Sequence, residues 1–78
     1  MAKNEGDQTE ARKVTIGRTV HVTDHDSGSV HPAIVTHVND AEQSVIATVF
    51  KPSEIAVGVG FRPAPGNLAA KGCWHWPV

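Results

Sequence analysis

From residue 14 onward, apolar and polar residues alternate with a period of two over most of the chain, the spacing of half-buried strands rather than of helices. In residues 14–23 (VTIGRTVHVT), Val14, Ile16, Val20 and Val22 share one parity, and Thr15, Thr19, His21 and Thr23 the other. Gly17-Arg18 interrupts the run as a bulge or turn, so the regular strand is expected over 18–23. Asp24-His25-Asp26-Ser27-Gly28-Ser29 is a cluster of turn formers and reads as a loop. Pro32 opens the second strand; within 33–38 (AIVTHV), Ile34 and Val38 are expected on one face, Val35 and His37 on the other. Residues 39–44 read as a hairpin loop, 45–50 (VIATVF) as a third strand apolar on both faces, and 55–59 (IAVGV) as a fourth. Residues 60–72, with Gly60, Pro63, Pro65 and Gly66, read as a long irregular connection.

The chain then ends on Cys73-Trp74-His75-Trp76-Pro77, which holds both of its tryptophans. Two apart on an extended segment, Trp74 and Trp76 project to one face and His75 to the other. Each indole can bury roughly 200 Å², and only two phenylalanines compete with them for the core. The segment is therefore expected to be a closing strand that caps the core, returning beside the first strand. The predicted fold is all-β: a small SH3-like five-stranded partly open barrel over residues 14–78, a single domain. An OB-like barrel fits less well, since it needs longer strands and usually a helix. Residues 1–13 (MAKNEGDQTEARK) carry too little apolar surface to offset the entropy of ordering and are expected to form a flexible polar tail.

Composition supports the strand reading. Valine, isoleucine and threonine abound, while Leu68 is the sole leucine. The net charge of -1, from seven Lys+Arg against eight Asp+Glu, argues against non-specific nucleic-acid binding. Cys73 is the one cysteine, so no intrachain disulfide can form and a reducing cytoplasm is the expected location. No apolar run reaches the length of a signal peptide or a membrane span, so no membrane partner is expected. A chain of 78 residues buries only about 60% of its unfolded surface. Help from self-association through strand edges, or from a bound ligand, is therefore expected.

Five histidines are the compositional oddity, four of them (His21, His25, His31, His37) within seventeen positions. Imidazoles beside Asp24 and Asp26 are the donor type that suits zinc, so His21, His25 and His37 form one candidate metal set. Their spacing matches no zinc motif, and the alternative is that they decorate a solvated sheet face. Cys73 and His75 share a strand face, yet no oxyanion-hole element can be placed near them, so no catalytic residue is assigned. Gly58-Val59-Gly60-Phe61-Arg62 has the glycines and the arginine of a phosphate cradle but no helix after it. Arg62 and Phe61, with Arg18, His21, Trp74 and Trp76, make a candidate aromatic-and-arginine pocket. Aromatic faces stack on bases, and arginine forks grip phosphate. The competing reading puts Phe61 in the core and Arg62 in solvent.

The strand Gly17-Arg18-Thr19-Val20-His21-Val22, the segments Ala33-Ile34-Val35-Thr36-His37-Val38 and Val49-Phe50-Lys51-Pro52, and the ending Trp74-His75-Trp76-Pro77 resemble a group of small phage and actinobacterial proteins. That resemblance covers most of residues 17–77 and implies a compact β-domain of viral or prophage origin in the host cytoplasm. It carries over no catalytic residue. Ser53-Glu54 and Ile55 stand where the group has a more apolar turn.

Together these readings predict a non-enzymatic, phage-type binding module without a cofactor, a homo-oligomer that takes a host protein or a small nucleotide-like ligand. The alternatives are a minor virion or assembly component and a histidine-based metal-dependent enzyme.

Overall fold

The computed structural model describes residues 13–77. The expected tail therefore lies outside the described residues, except for Lys13. Five strands follow one another: β1 (Thr19–Thr23), β2 (Val30–Asn39), β3 (Ser44–Phe50), β4 (Ile55–Pro63) and β5 (Cys73–His75), with a short 3-10 turn at Pro65–Asn67. They form a closed barrel in the order β1-β2-β3-β4-β5. The ring that the sequence left partly open shuts because β5 inserts between the two ends. β5 pairs antiparallel with β1 (His21↔His75, Val22↔Trp74) and parallel with β4 (Arg62↔Cys73, Pro63↔Trp74). Backbone bonds from Arg62 N–H to the Gly72 carbonyl (3.1 Å) and from Ala64 N–H to the Trp74 carbonyl (2.9 Å) complete the seam.

Alternation decides which side chains point inward, and the barrel interior takes one parity from each strand. Val20 and Val22 of β1, Ala33 and Val35 of β2, Val45, Ala47 and Val49 of β3, and Phe61 of β4 are all buried, joined by Val14, Trp74 and Trp76. Small valines and alanines on the walls leave room for the two indoles, which meet edge to face at 5.1 Å and 88°. Trp74 Nε1–H donates to the Gln43 carbonyl at 2.7 Å, so its one polar atom is satisfied on burial. The guanidinium of Arg18 lies 5.4 Å from the centre of the Trp76 ring, a cation–π arrangement.

Three details depart from strict alternation. Ile16 shares parity with Val14, yet Val14 is fully buried and Ile16 is exposed. The chain turns at Ile16-Gly17, where Gly17 has φ +92 and its N–H bonds to the Val35 carbonyl. On β2 the register shifts between Val35 and His37. The extra residue, Thr36, sends its hydroxyl to the Ile46 carbonyl at 3.0 Å. Val38 therefore packs against the core and His37 turns to solvent, the reverse of their expected sides. β4 bulges at Val57-Gly58 opposite Thr48, with Gly58 at φ +69, a left-handed position that glycine fills without strain.

β4 runs on to Pro63, four residues past its expected end, so the irregular connection begins only at Ala64. Asn67 ties that connection to the closing segment. Its Oδ1 accepts the Trp76 N–H at 2.7 Å, and its side-chain amide donates to the Trp76 carbonyl at 3.3 Å. β5 itself is buried on both faces, since Cys73, Trp74 and His75 are all buried. His75, expected outside, is instead covered by the edge of the His21 ring, centroids 5.7 Å apart.

Candidate functional site

The β1–β2 loop is built on one carboxylate. Asp24 Oδ2 accepts the N–H groups of Asp26 (3.0 Å) and Ser27 (2.9 Å), while Oδ1 lies 3.2 Å from Lys51 Nζ. Those bonds, the Ser27 N–H first, then the Asp26 N–H and then Lys51, hold its carboxyl well below the usual carboxylate range. The turn so fixed presents His25. Its ring stacks on Phe61 at 5.2 Å, and its Nε2 is 2.9 Å from the Gly60 carbonyl. A Cβ on Gly72 would come within 3.0 Å of this imidazole, and Gly72 sits at φ +76, so only glycine lets the loop and the connection meet here.

Where β2 and β4 end and β3 begins, beside this loop, an open cleft of about 470 Å³ is lined by His25, His37, Asn39, Ser44, Val45, Ile46, Gly60, Phe61, Arg62, Lys71 and Gly72. Two of these side chains are cations, two are imidazoles and none is a carboxylate. Arg62 and Lys71 both face solvent, and neither forms an ion pair among the described residues. A second concavity of about 350 Å³ adjoins it, lined by Glu42, Ser44, Arg62, Pro63, Pro65 and Cys73. Ser44 and Arg62 belong to both.

The six residues expected to share an aromatic-and-arginine pocket are spread over the molecule. Arg62 lines both clefts, and Phe61 contributes a buried wall to the first. Trp74 and Trp76 are core, with Arg18 over Trp76, and His21 lies at the β1–β5 seam against His75. Arg18, His21 and the tryptophans line neither cleft. The indoles are drawn inward because, apart from Phe61, the rest of the buried core is valine and alanine.

The candidate metal set also comes apart. His21 pairs across from Pro32 and His75, His25 is committed to Phe61 and Gly60, and His37 sits opposite Ile46. Among the described residues, no group of three or more His, Cys, Asp or Glu could hold a metal ion. Cys73 is buried as a free thiol.

Lys71, Asn39 and Ser44 are the cleft residues that reading the chain in order did not single out. Lys71 lies in a stretch that reads only as irregular connection, and Asn39 and Ser44 look like ordinary loop residues. The cue was available in combination: a lysine and an arginine flanking the connection, both near a glycine-rich strand end.

No family model matches the chain, and no curated protein or solved structure does either.

Proposed function

We propose that the protein is a non-enzymatic, phage-type binding module, an SH3-like barrel that holds a small anionic ligand of nucleotide size in the cleft beside the β1–β2 loop. One observation carries this reading: Arg62 and Lys71, both without a carboxylate partner among the described residues, converge with His25 and His37 on a concavity that no acidic side chain lines. On a chain of net charge -1 such a local concentration of positive charge is a focused field, and it favours phosphate over any cation. The volume falls in the range of small-molecule sites, and Ile46 and Phe61 supply apolar wall. No hydrogen bond joins Ser44 to either imidazole among the described residues, so the cleft offers donors for holding a ligand rather than an activated nucleophile.

The test is thermal denaturation against a panel of mono-, di- and cyclic nucleotides. A ligand at 100 times its dissociation constant adds about 2.7 kcal/mol, which raises the melting temperature of a domain this small by roughly 10 °C or more. The same ligand should do nothing for Arg62→Ala/Lys71→Ala. A flat panel for the wild-type chain overturns the reading.

A second reading, self-association, is favoured by the edge of β4. On the side away from β3, β5 pairs only Arg62 and Pro63 of this strand. Ile55 and Val57 stand 61% and 73% exposed there, and residues 55–59 carry no charge to repel an identical strand. A second copy added along this edge would make a dimer in solution. Light scattering at high concentration should find it, and Val57→Lys should return a monomer. A monomeric wild-type chain sinks the idea.

A further inference from the structure

The two concavities are neighbours that share Ser44 and Arg62, and their linings differ in kind. The first is cationic. The second holds Glu42, the one carboxylate in either, together with Pro63, Pro65 and Cys73. From this division we infer that the ligand is a guanine nucleotide, its phosphate on Arg62 and Lys71 and its base in the proline-walled lobe with its donor edge towards Glu42. The inference rests on the anion-binding reading of the first lobe and adds the identity of the base.

An ionised carboxylate is acceptor-only, with two oxygens that can take two parallel N–H bonds. Guanine presents N1–H and the N2 amino group side by side, so it can meet such a carboxylate with both. Adenine presents one amino group beside an acceptor nitrogen, which would face the carboxylate with like polarity. Pro63 and Pro65 offer flat, apolar, backbone-rigid surfaces on which a ring can lie. Arg62, at the junction, reaches both lobes and so sits where phosphate and sugar would meet.

Glu42 is exposed, but the turn that carries it is firmly held. Asn39 Oδ1 accepts the N–H groups of Ala41 (3.1 Å) and Glu42 (3.4 Å). Gln43, at φ +59, takes the Trp74 Nε1–H on its carbonyl and the Val14 N–H on its Oε1, at 2.7 and 2.8 Å. Both ends of the core therefore grip the residue next to Glu42. These bonds close the barrel and at the same time fix the backbone from which Glu42 projects.

Isothermal titration of the full chain with guanosine 5′-monophosphate, adenosine 5′-monophosphate and unphosphorylated guanosine tests the assignment. Guanosine monophosphate should bind at least tenfold more tightly than adenosine monophosphate, the usual discrimination of a two-bond contact to a base edge. Guanosine alone should bind far more weakly. Glu42→Gln, a change at an exposed position whose fold is checked by its melting curve, should remove the preference while adenosine monophosphate still binds. Equal binding of the two nucleotides, both lost in Arg62→Ala, would overturn the base assignment and leave the anion site standing. Loss of all binding would take the anion site with it. A free nucleotide and the end of an RNA strand share this chemistry; a 5′-phosphorylated guanosine-led trinucleotide binding more tightly than the monophosphate would overturn the free nucleotide as the source.

Discussion

Trp74→Ala will remove a large share of the domain's stability, the largest loss expected of any single truncation in the chain. The side chain is 4% exposed, lies edge to face against Trp76, and donates the bond to Gln43 that ties the β2–β3 turn to the closing strand. Truncating a buried tryptophan costs roughly 3–5 kcal/mol through lost burial and the cavity left behind. A domain of this length has a total stability on the order of 4–12 kcal/mol at the usual value per residue. The barrel has few ways to collapse around the void, since its walls are valine and alanine already seated in strands. Urea denaturation followed by circular dichroism should show the midpoint falling steeply relative to the wild type. Trp74→Phe keeps an aromatic ring but cannot donate, and should lose only about 1–2 kcal/mol. If Trp74→Ala melts like the wild type, the indoles do not organise the core.

Acid will weaken the fold well before its carboxylates are protonated. His75 is 8% exposed, and its Nδ1 has no hydrogen-bond partner among the described residues. Burial first, and the facing His21 imidazole second, hold its pKa below the ordinary value of 6.5. Because the folded state disfavours the charged ring, the unfolded chain takes the proton first. The contribution of neutral His75 is complete above the unfolded value of 6.5 and is lost as pH falls below it. The slope is at most about 1.4 kcal/mol per pH unit until the folded pKa is reached. Urea midpoints measured between pH 8 and pH 5 should stay level and then drop below 6.5. His75→Gln and His75→Phe should flatten that drop. A parallel fall in wild type and both variants would place the acid sensitivity elsewhere. β5 joins β1 to β4, so a charge forced into this three-residue strand acts on the seam of the whole barrel.

The reach of sequence reasoning is visible at particular residues. Period-two alternation located β1, a short run apolar on both faces located β3, and the spacing of the two tryptophans located the closing strand. Parity failed at Ile16, which lies in a turn, and at His37 and Val38, which follow the bulge at Thr36, since an inserted residue flips every side chain after it. Thr36 and Gly58, the bulge residues, look like ordinary members of their strands. β4 outran its expected end because Gly60 and Pro63 were read as breakers, whereas β3 on one side and β5 on the other keep their backbone paired. Phe61 as core and Arg62 in solvent is the arrangement found, with Arg62 nevertheless at the mouth of two clefts.

By itself, the order of residues determined that this chain is a small β-barrel with its tryptophans capping the core, since strand parity and the location of scarce large side chains are local properties. Only the tertiary structure decided that His75 is inside, that the ring is closed, and that Arg62 and Lys71 share a cleft with His25 and His37. Those are consequences of where a parallel strand of three residues docks between ends that are distant in the chain. No spacing along the sequence records which loops that docking brings together.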